Sequence, residues 1–209
     1  MLCSLYSSKS IGPDGIGPKI LKIAAPIITK SLAYILNQSI LSGYFPDQLK
    51  EARVTPLFKD GFADDPNNYR PISVLPTIYK LFEKVVCSQF YDFLSQFKLL
   101  HDKQSGFRSK HSCQTALLQL VDSWLKELEN GNFTGILFLD FQKDVVNHKI
   151  LLTKLKYYKC DDLTISWFKS YLTNRCQKVR LGLAESKMEK VQSGVSQGSI
   201  LGPYYLYYM

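Results

Sequence analysis

One carboxylate, Asp140, ends the apolar run Gly135–Leu139. A short apolar run bounded by glycine predicts a buried β-strand. A carboxylate at the end of such a strand is costly unless something pairs with it. Asp140 could cap a following helix, or it could bind a hard divalent cation, which prefers carboxylate oxygens. On this stretch alone the capping role is favoured, and the choice depends on the rest of the chain.

Two cations lie near the ends of a predicted β-hairpin. Ala52–Phe58 and Tyr69–Leu75 are its predicted strands, and Pro56 in the first of them suggests an edge or a bulge. Lys59 follows the first strand and Arg70 lies in the second. Both could bind an anion, but Lys and Arg are most often solvated surface residues.

Two loops have a composition that suits ligand contact. Ser193–Pro203 is rich in glycine, which lets backbone approach a ligand closely. Gln104–Arg108 is a loop with basic and aromatic residues. His111 could be a ligand, although a lone histidine near a helix start is more often a surface or capping group. Each of these signals is weak by itself.

The elements that must position these residues are predicted from apolar periodicity. Lys19–Ser42 has helical spacing, Pro26 should break or kink it into two helices, and Gly43 is a candidate C-cap. Further helices are predicted over Pro76–Phe97, from His111–Ser112 to about Asn130, over about Val145–Tyr158, and from the capping pair Asp161-Asp162 to about Asn174. A second hairpin is predicted from the alternation of Gln177–Leu183 and Lys187–Gln192.

Composition points to an intracellular protein with a polyanionic partner. The chain has 209 residues, 45% of them hydrophobic, and a net charge of +8 that is spread along its length. A distributed basic excess suggests nucleic acid. The five cysteines form no zinc-spaced cluster and are odd in number, which favours a reducing compartment, the cytoplasm or nucleus. We also expect no membrane partner, because no apolar run reaches about 18 residues, and no secretory signal.

Taken together, the motifs resemble those of a known family. The chain resembles the reverse transcriptase domain of non-LTR retrotransposons of the jockey-like kind. The matching stretches fall in family order over residues 11–203 and are Gly12–Ile16, Arg53–Lys59, Asn68–Ser73, Gln104–Arg108, Phe138–Asp140 and Gly194–Ser199. Each motif alone would be a weak signal, but six stretches in family order make the probability of a chance match very small.

This resemblance implies RNA-directed DNA polymerisation with two Mg²⁺ ions, an RNA template, a DNA primer and deoxynucleoside triphosphates. Asp140 would be a catalytic residue and metal ligand. The residues that would bind the incoming nucleotide are Lys59, Arg70, Gln197 and Gly198. The residues that would lie along the template are Gln104, Gly106, Phe107 and Arg108. The implied fold is α+β, with a helical fingers region carrying the hairpin over about residues 1–134, and the start of an antiparallel palm sheet over about 135–209.

Three departures from the family pattern bear on activity. After Asp140 the sequence Phe141-Gln142-Lys143 leads directly to Asp144, so two residues of the family pattern are missing, including its steric-gate Phe. Ser196 stands where the family usually has Pro. The Tyr-x-Asp-Asp motif, which supplies the family's other carboxylates, is absent from the 209 residues. Asp144 is a possible second ligand, but the deletion alters its placement.

Three hypotheses remain open for this fragment. It could be a polymerase domain, for which a further segment would have to supply the other carboxylates. It could be a nucleic-acid-binding relic of a decayed element, or a poorly folded product without function. We expect the 209 residues alone to be catalytically inactive.

Overall fold

The computed structural model of the chain describes residues 1–139 and 147–202. These residues form five α-helices and five β-strands. The helices are α1 (Pro18–Leu41), α2 (Thr77–Gln96), α3 (Cys113–Glu129), α4 (His148–Tyr157) and α5 (Asp162–Leu172). The strands are β1 (Glu51–Phe58), β2 (Tyr69–Val74), β3 (Cys176–Leu181), β4 (Ala184–Glu185) and β5 (Glu189–Lys190). Two compact units are formed: the first holds residues 1–89 and 147–202, and the second holds residues 90–139.

The sheet of the first unit is mixed. β1 and β2 form the predicted antiparallel hairpin. On its other side β1 pairs with β3 in parallel, and β3 pairs in antiparallel fashion with both β4 and β5. The expected α+β class is therefore confirmed as a combination of helices with one small mixed sheet. The second predicted hairpin also forms, with its return strand divided into two short pieces.

The position of Pro56 follows from the hydrogen-bond register of the hairpin. The amide of Lys59 donates to the carbonyl of Asn68 at 2.8 Å. Hydrogen-bonded pairs alternate with non-bonded pairs in an antiparallel ladder, so Pro56 and its opposite residue Pro71 fall in a non-bonded pair. Neither ring nitrogen is then required as a donor within the hairpin. The pairing of β1 with β3 ends at Val54, so no strand of the described ranges pairs with this side of β1 at Pro56, in agreement with the predicted edge.

The first helix differs from its prediction in one respect. α1 runs without a break from Pro18 to Leu41, so the predicted division at Pro26 is wrong. A proline removes one backbone donor from the helix, and here the remaining hydrogen bonds keep the helix in one piece. Its end is as predicted: Gly43 has a φ of +63°, and the amide of Tyr44 donates to the carbonyl of Ser39 at 3.0 Å. This is the Schellman arrangement.

α1 is also long and apolar enough to cross a membrane, judged by length and composition alone. Its most apolar window has a mean hydropathy of 1.3, and only 11% of that window is buried. Polar residues interrupt the apolar ones, which is why no continuous apolar run was evident in the sequence.

The core of the first unit is centred on Phe45. Its ring meets those of Tyr171, Trp167 and Tyr79 edge-on, with centroids 5.3, 5.4 and 5.6 Å away. Edge-to-face contacts of this kind are favourable beyond the burial of area. Phe45 itself is completely buried. The cluster joins α2 to α5 and so fixes the two helices that approach the glycine-rich loop.

The predicted buried strand before Asp140 is not formed. Residues 132–139 have no regular secondary structure, and Leu137 and Phe138 are both 82% exposed. A strand needs a neighbour to satisfy its backbone groups and cover its side chains. Within the described ranges this segment has no strand neighbour. Asp140 and Asp144 lie outside the described residues.

Candidate functional site

The turn end of the β1–β2 hairpin, where residues 59–68 connect the two strands, carries two exposed cations. The register places Arg70 opposite Leu57, and Lys59 is the next residue after β1. Side chains two positions apart on a strand share a face, so Arg70, Leu57 and Lys59 belong to one face at this end. The only ion pair of Lys59 among the described residues is with Asp60, at 3.9 Å on the surface. Such an exposed pair contributes little stability.

The glycine-rich loop lies along the outer edge of β2. The amide of Ser73 donates to the carbonyl of Gln197 at 3.0 Å. This direction follows from the ladder: Ser73 occupies a non-bonded pair with Val54, so its amide points away from β1. The loop therefore extends the hairpin on the side opposite β1. Ser73, whose amide binds Gln197, lies three residues after Arg70 along β2.

Gly198 permits this close approach. Its φ is +108°, and a Cβ added there would lie 3.3 Å from the carbonyl oxygen of Ser73. A side chain would be strained by the backbone conformation and crowded by a backbone atom that cannot swing away. Gln197 and Gly198 are both exposed. The turn thus presents bare backbone to solvent next to the hairpin.

A buried carboxylate, Glu83 of α2, holds the residues that follow the turn. The Ser199 hydroxyl donates to its Oε1 at 2.5 Å, the amide of Ile200 to its Oε2 at 3.0 Å, and the amide of Leu201 to its Oε1 at 3.4 Å. The Ser199 oxygen in turn accepts from the amide of Gly202 at 2.9 Å. The carboxylate thus supplies acceptors for adjacent backbone amides that would otherwise lack one.

Two tyrosines and an arginine complete this network. The hydroxyls of Tyr79 and Tyr171 donate to Glu83 Oε1 at 3.0 and 2.5 Å. The guanidinium of Arg175 lies 5.1 and 5.3 Å from the centroids of their rings and donates to the Ser196 hydroxyl at 3.4 Å. Burial raises the pKa of Tyr79 far above its usual range, so its hydroxyl remains a donor.

Glu83 was not among the predicted site residues, although the sequence contains a signal for it. Tyr79, Glu83, Val86 and Phe90 share one side of α2 at helical spacing, and all four are buried. A carboxylate within an apolar stripe is uncommon unless it is paired. Ser73, Tyr171 and Arg175 had no comparable local signal, because their roles depend on contacts across the fold.

The second unit contains the Gln104–Arg108 loop. The Arg108 guanidinium donates to the carbonyls of His101 and Asp102 at 3.0 and 3.4 Å, and the Gln104 amide donates to the carbonyl of Gly106 at 3.3 Å. These bonds brace the loop from within. The Phe107 side chain remains 58% exposed.

Beside this loop is an open cavity of about 660 Å³. Its charged lining is predominantly basic and includes Lys98, Arg108 and Lys110; Asp102 is the single carboxylate among the described lining residues. This unit therefore offers positive charge and an exposed aromatic ring. Each unit has its own group of predicted residues: Lys59, Arg70, Gln197 and Gly198 in the first, and Gln104, Gly106, Phe107 and Arg108 in the second.

The residues described contain no group of three or more His, Cys, Asp or Glu side chains that could hold a metal ion. The predicted ligand Asp140 lies outside them.

Comparison with known proteins decides the family. A sequence model described as "Reverse transcriptase (RNA-dependent DNA polymerase)" matches residues 58–209. The chain belongs to the reverse transcriptase family. The matched region begins at the last residue of β1. It includes the hairpin end, the Gln104–Arg108 loop and the glycine-rich loop with its Gln197–Gly198 turn.

The chain is also similar to curated polymerases of mobile elements. It is 32% identical over 209 residues to a "Probable RNA-directed DNA polymerase from transposon BS" of Drosophila melanogaster. The alignment covers 96% of this chain and 22% of that protein. It is 30% identical over 206 residues to the "RNA-directed DNA polymerase from mobile element jockey" of the same species, covering 97% of this chain and 22% of the relative. The chain thus spans about a fifth of the length of these relatives, and its resemblance to jockey-like non-LTR elements is confirmed.

Replacing Gly198 with Ala tests the turn geometry. We expect Gly198→Ala to lower the free energy of unfolding by about 2–3 kcal/mol, because φ is positive and the new Cβ meets the Ser73 carbonyl. The measurement is urea unfolding followed by circular dichroism. Gly182→Ala is the control: Gly182 has a φ of +61° with no heavy atom near its added Cβ, so it should lose only about 1 kcal/mol. Equal losses in the two variants would contradict the close approach.

Proposed function

We propose that this chain forms the nucleotide-binding and template-binding part of an RNA-directed DNA polymerase. The observation that carries the proposal is the backbone bond from Ser73 to Gln197. It brings the glycine-rich turn to the same strand that carries Arg70. Two motifs that are more than 120 residues apart thereby form one surface, with cations on one part and bare backbone on another.

The hairpin end suits the triphosphate of an incoming deoxynucleotide. Among the described residues, no hydrogen bond or ion pair involves the Arg70 side chain, so its planar fork is available for phosphate oxygens. Lys59 adds a second positive charge, and its only ion pair among the described residues is the exposed one with the neighbouring Asp60. Gln197 and Gly198 would contact the nucleotide through the exposed turn, where an amide side chain and free backbone are both within reach.

The second unit suits a template strand. The exposed Phe107 ring offers a surface on which a base could stack, and such stacking is tolerant of sequence. Lys98 and Lys110 would approach backbone phosphates from the basic cavity. Arg108 would act mainly by holding the loop, because its guanidinium is already bound to two carbonyls. Gln104 and Gly106 belong to the same braced loop.

The reverse transcriptase family uses divalent metal ions, and we propose Mg²⁺ with Asp140 as its ligand in this chain. Mg²⁺ bound there would stabilise charge on the reacting phosphate. The described residues contribute the remaining work: they bind the triphosphate, orient the nucleotide and hold the template. We place this activity inside the cell, in the cytoplasm or nucleus. The cysteines are odd in number and none forms a C-x-x-C pair, which suits a reducing compartment.

Loss of the Arg70 guanidinium should weaken nucleotide binding. We expect Arg70→Ala to raise the Kd for dTTP with Mg²⁺ by about tenfold to a hundredfold, because hydrogen bonds to charged groups contribute about 1.5–3 kcal/mol. Equilibrium dialysis measures the affinity directly. Lys30→Ala is the matched control, since it removes the same charge from an exposed position on α1. If both variants bind dTTP equally well, the phosphate role of Arg70 is wrong.

The polymerase activity of the 209 residues can be measured separately. We expect no extension of a labelled primer on an RNA template with Mg²⁺ and all four deoxynucleotides. Mg²⁺ retains its waters unless carboxylates and phosphates replace them, and Asp140 is the sole carboxylate in these residues that the family pattern assigns. Extension that disappears in Asp140→Ala would contradict this expectation. Binding of template and nucleotide without extension is the result that the proposed binding role predicts for these 209 residues.

A further inference from the structure

The Glu83 side chain is completely buried, yet it is a carboxylate. A buried charge is strongly unfavourable unless several donors satisfy it. Glu83 accepts from five groups, and three of these belong to the consecutive residues Ser199, Ile200 and Leu201. The carboxylate therefore faces the chain immediately after the exposed Gln197–Gly198 turn.

The turn is fixed on both sides and in the middle. Before it, Arg175 binds the hydroxyl of Ser196. At the turn itself, the Ser73 amide binds the carbonyl of Gln197. After it, Glu83 binds Ser199 and the two amides that follow. Of these three restraints, the one after the turn has the most hydrogen bonds and is the most deeply buried.

We propose that Glu83 is a positioning residue that sets the backbone of the Gln197–Gly198 turn for nucleotide binding. This inference rests on the proposed nucleotide-binding function of the turn. Glu83 acts from behind the turn, with its carboxylate enclosed by tyrosine hydroxyls and backbone amides. Its effect on the nucleotide is therefore transmitted through Ser199, Ile200 and Leu201.

A glutamine at this position has the same shape but cannot make the same bonds. Glu83 Oε2 accepts from the Ile200 amide, and Oε1 accepts from the Leu201 amide. Glutamine has one oxygen and one NH₂ group, which has no acceptor capacity. In either orientation its NH₂ group faces one of the two backbone amides. Hydroxyl groups can rotate to adapt, but a backbone amide cannot.

The test compares Glu83→Gln with Tyr79→Phe. Tyr79 donates to the same carboxylate but makes none of the described hydrogen bonds to residues 196–202. Both variants remove a hydrogen bond from the buried network around residue 83. Only Glu83→Gln removes one that a backbone amide of the glycine-rich loop donates. We expect the Kd of Glu83→Gln for dTTP with Mg²⁺ to rise about 10–100-fold, the range seen for residues that orient metal ligands from behind. Tyr79→Phe should bind as the unmodified chain does.

Amide hydrogen exchange gives a second readout. The Ile200 or Leu201 amide should exchange at least about tenfold faster in Glu83→Gln than in Tyr79→Phe, because one of them loses its acceptor. Amides in the middle of α5 serve as the internal reference. Unchanged protection at both residues would overturn the inference.

The outcomes separate the inference from the proposed function. If the unmodified chain does not bind dTTP, the proposed function is wrong and the positioning role falls with it. If the unmodified chain binds and folded Glu83→Gln binds equally well, only the positioning role is wrong. If Glu83→Gln does not fold, Ser199→Ala replaces it, because it removes one loop bond to the carboxylate from the other side. It should then weaken dTTP binding at least about threefold relative to Tyr79→Phe, and equal affinity would overturn the inference.

Discussion

The first unit of this reverse transcriptase segment depends on how one buried carboxylate is satisfied. Glu83 lies where α2, α5 and the glycine-rich loop meet, and it must collect donors from all three. Without these donors its charge would be strongly unfavourable in the core. Without Glu83, the amides of Ile200 and Leu201 would each lose an acceptor oxygen of its carboxylate. The requirement is mutual between Glu83 and the loop, so each restricts where the other can be.

The outer edge of β2 then determines where the loop is placed. The hairpin register leaves the Ser73 amide pointing away from β1, and the Gln197 carbonyl accepts from it. Gly198 allows the backbones to approach because it has no side chain. As a result, the core supports a turn whose exposed side adjoins the hairpin cations. Under the proposed function, this support would hold the backbone of the turn in place beside the hairpin cations for binding of a triphosphate.

Features with a local cause could be predicted from the sequence. Gly43 ends α1, Ser112 caps α3 with its hydroxyl, and Asp161 caps α5, each through contacts within a few residues. The hairpin that holds Lys59 and Arg70 also followed from two short predicted strands that a turn and a polar loop connect. These elements are determined by residues close to one another in the chain, so the local sequence is enough to predict them.

Features that depend on distant partners could not be predicted in this way. The run Gly135–Leu139 has the composition of a buried strand, but a strand forms only where another strand and a cover are available. The parallel pairing of β1 with β3 joins segments more than 120 residues apart. Glu83 was recognisable as unusual on its apolar stripe, yet its partners were not. Pro26 is the reverse case, since a strong local signal for a break is outweighed by the rest of α1.

The proposed nucleotide site lies where the hairpin end meets the Gln197–Gly198 turn. It can be tested by titrating ¹⁵N-labelled chain with dTTP and Mg²⁺ and following the amide chemical shifts. We expect the largest shifts at Lys59, Arg70, Ser73, Gln197 and Gly198, and we expect the amides of α3 to be unaffected. Largest shifts in α3 or along α1, with the hairpin end and the turn unchanged, would contradict it.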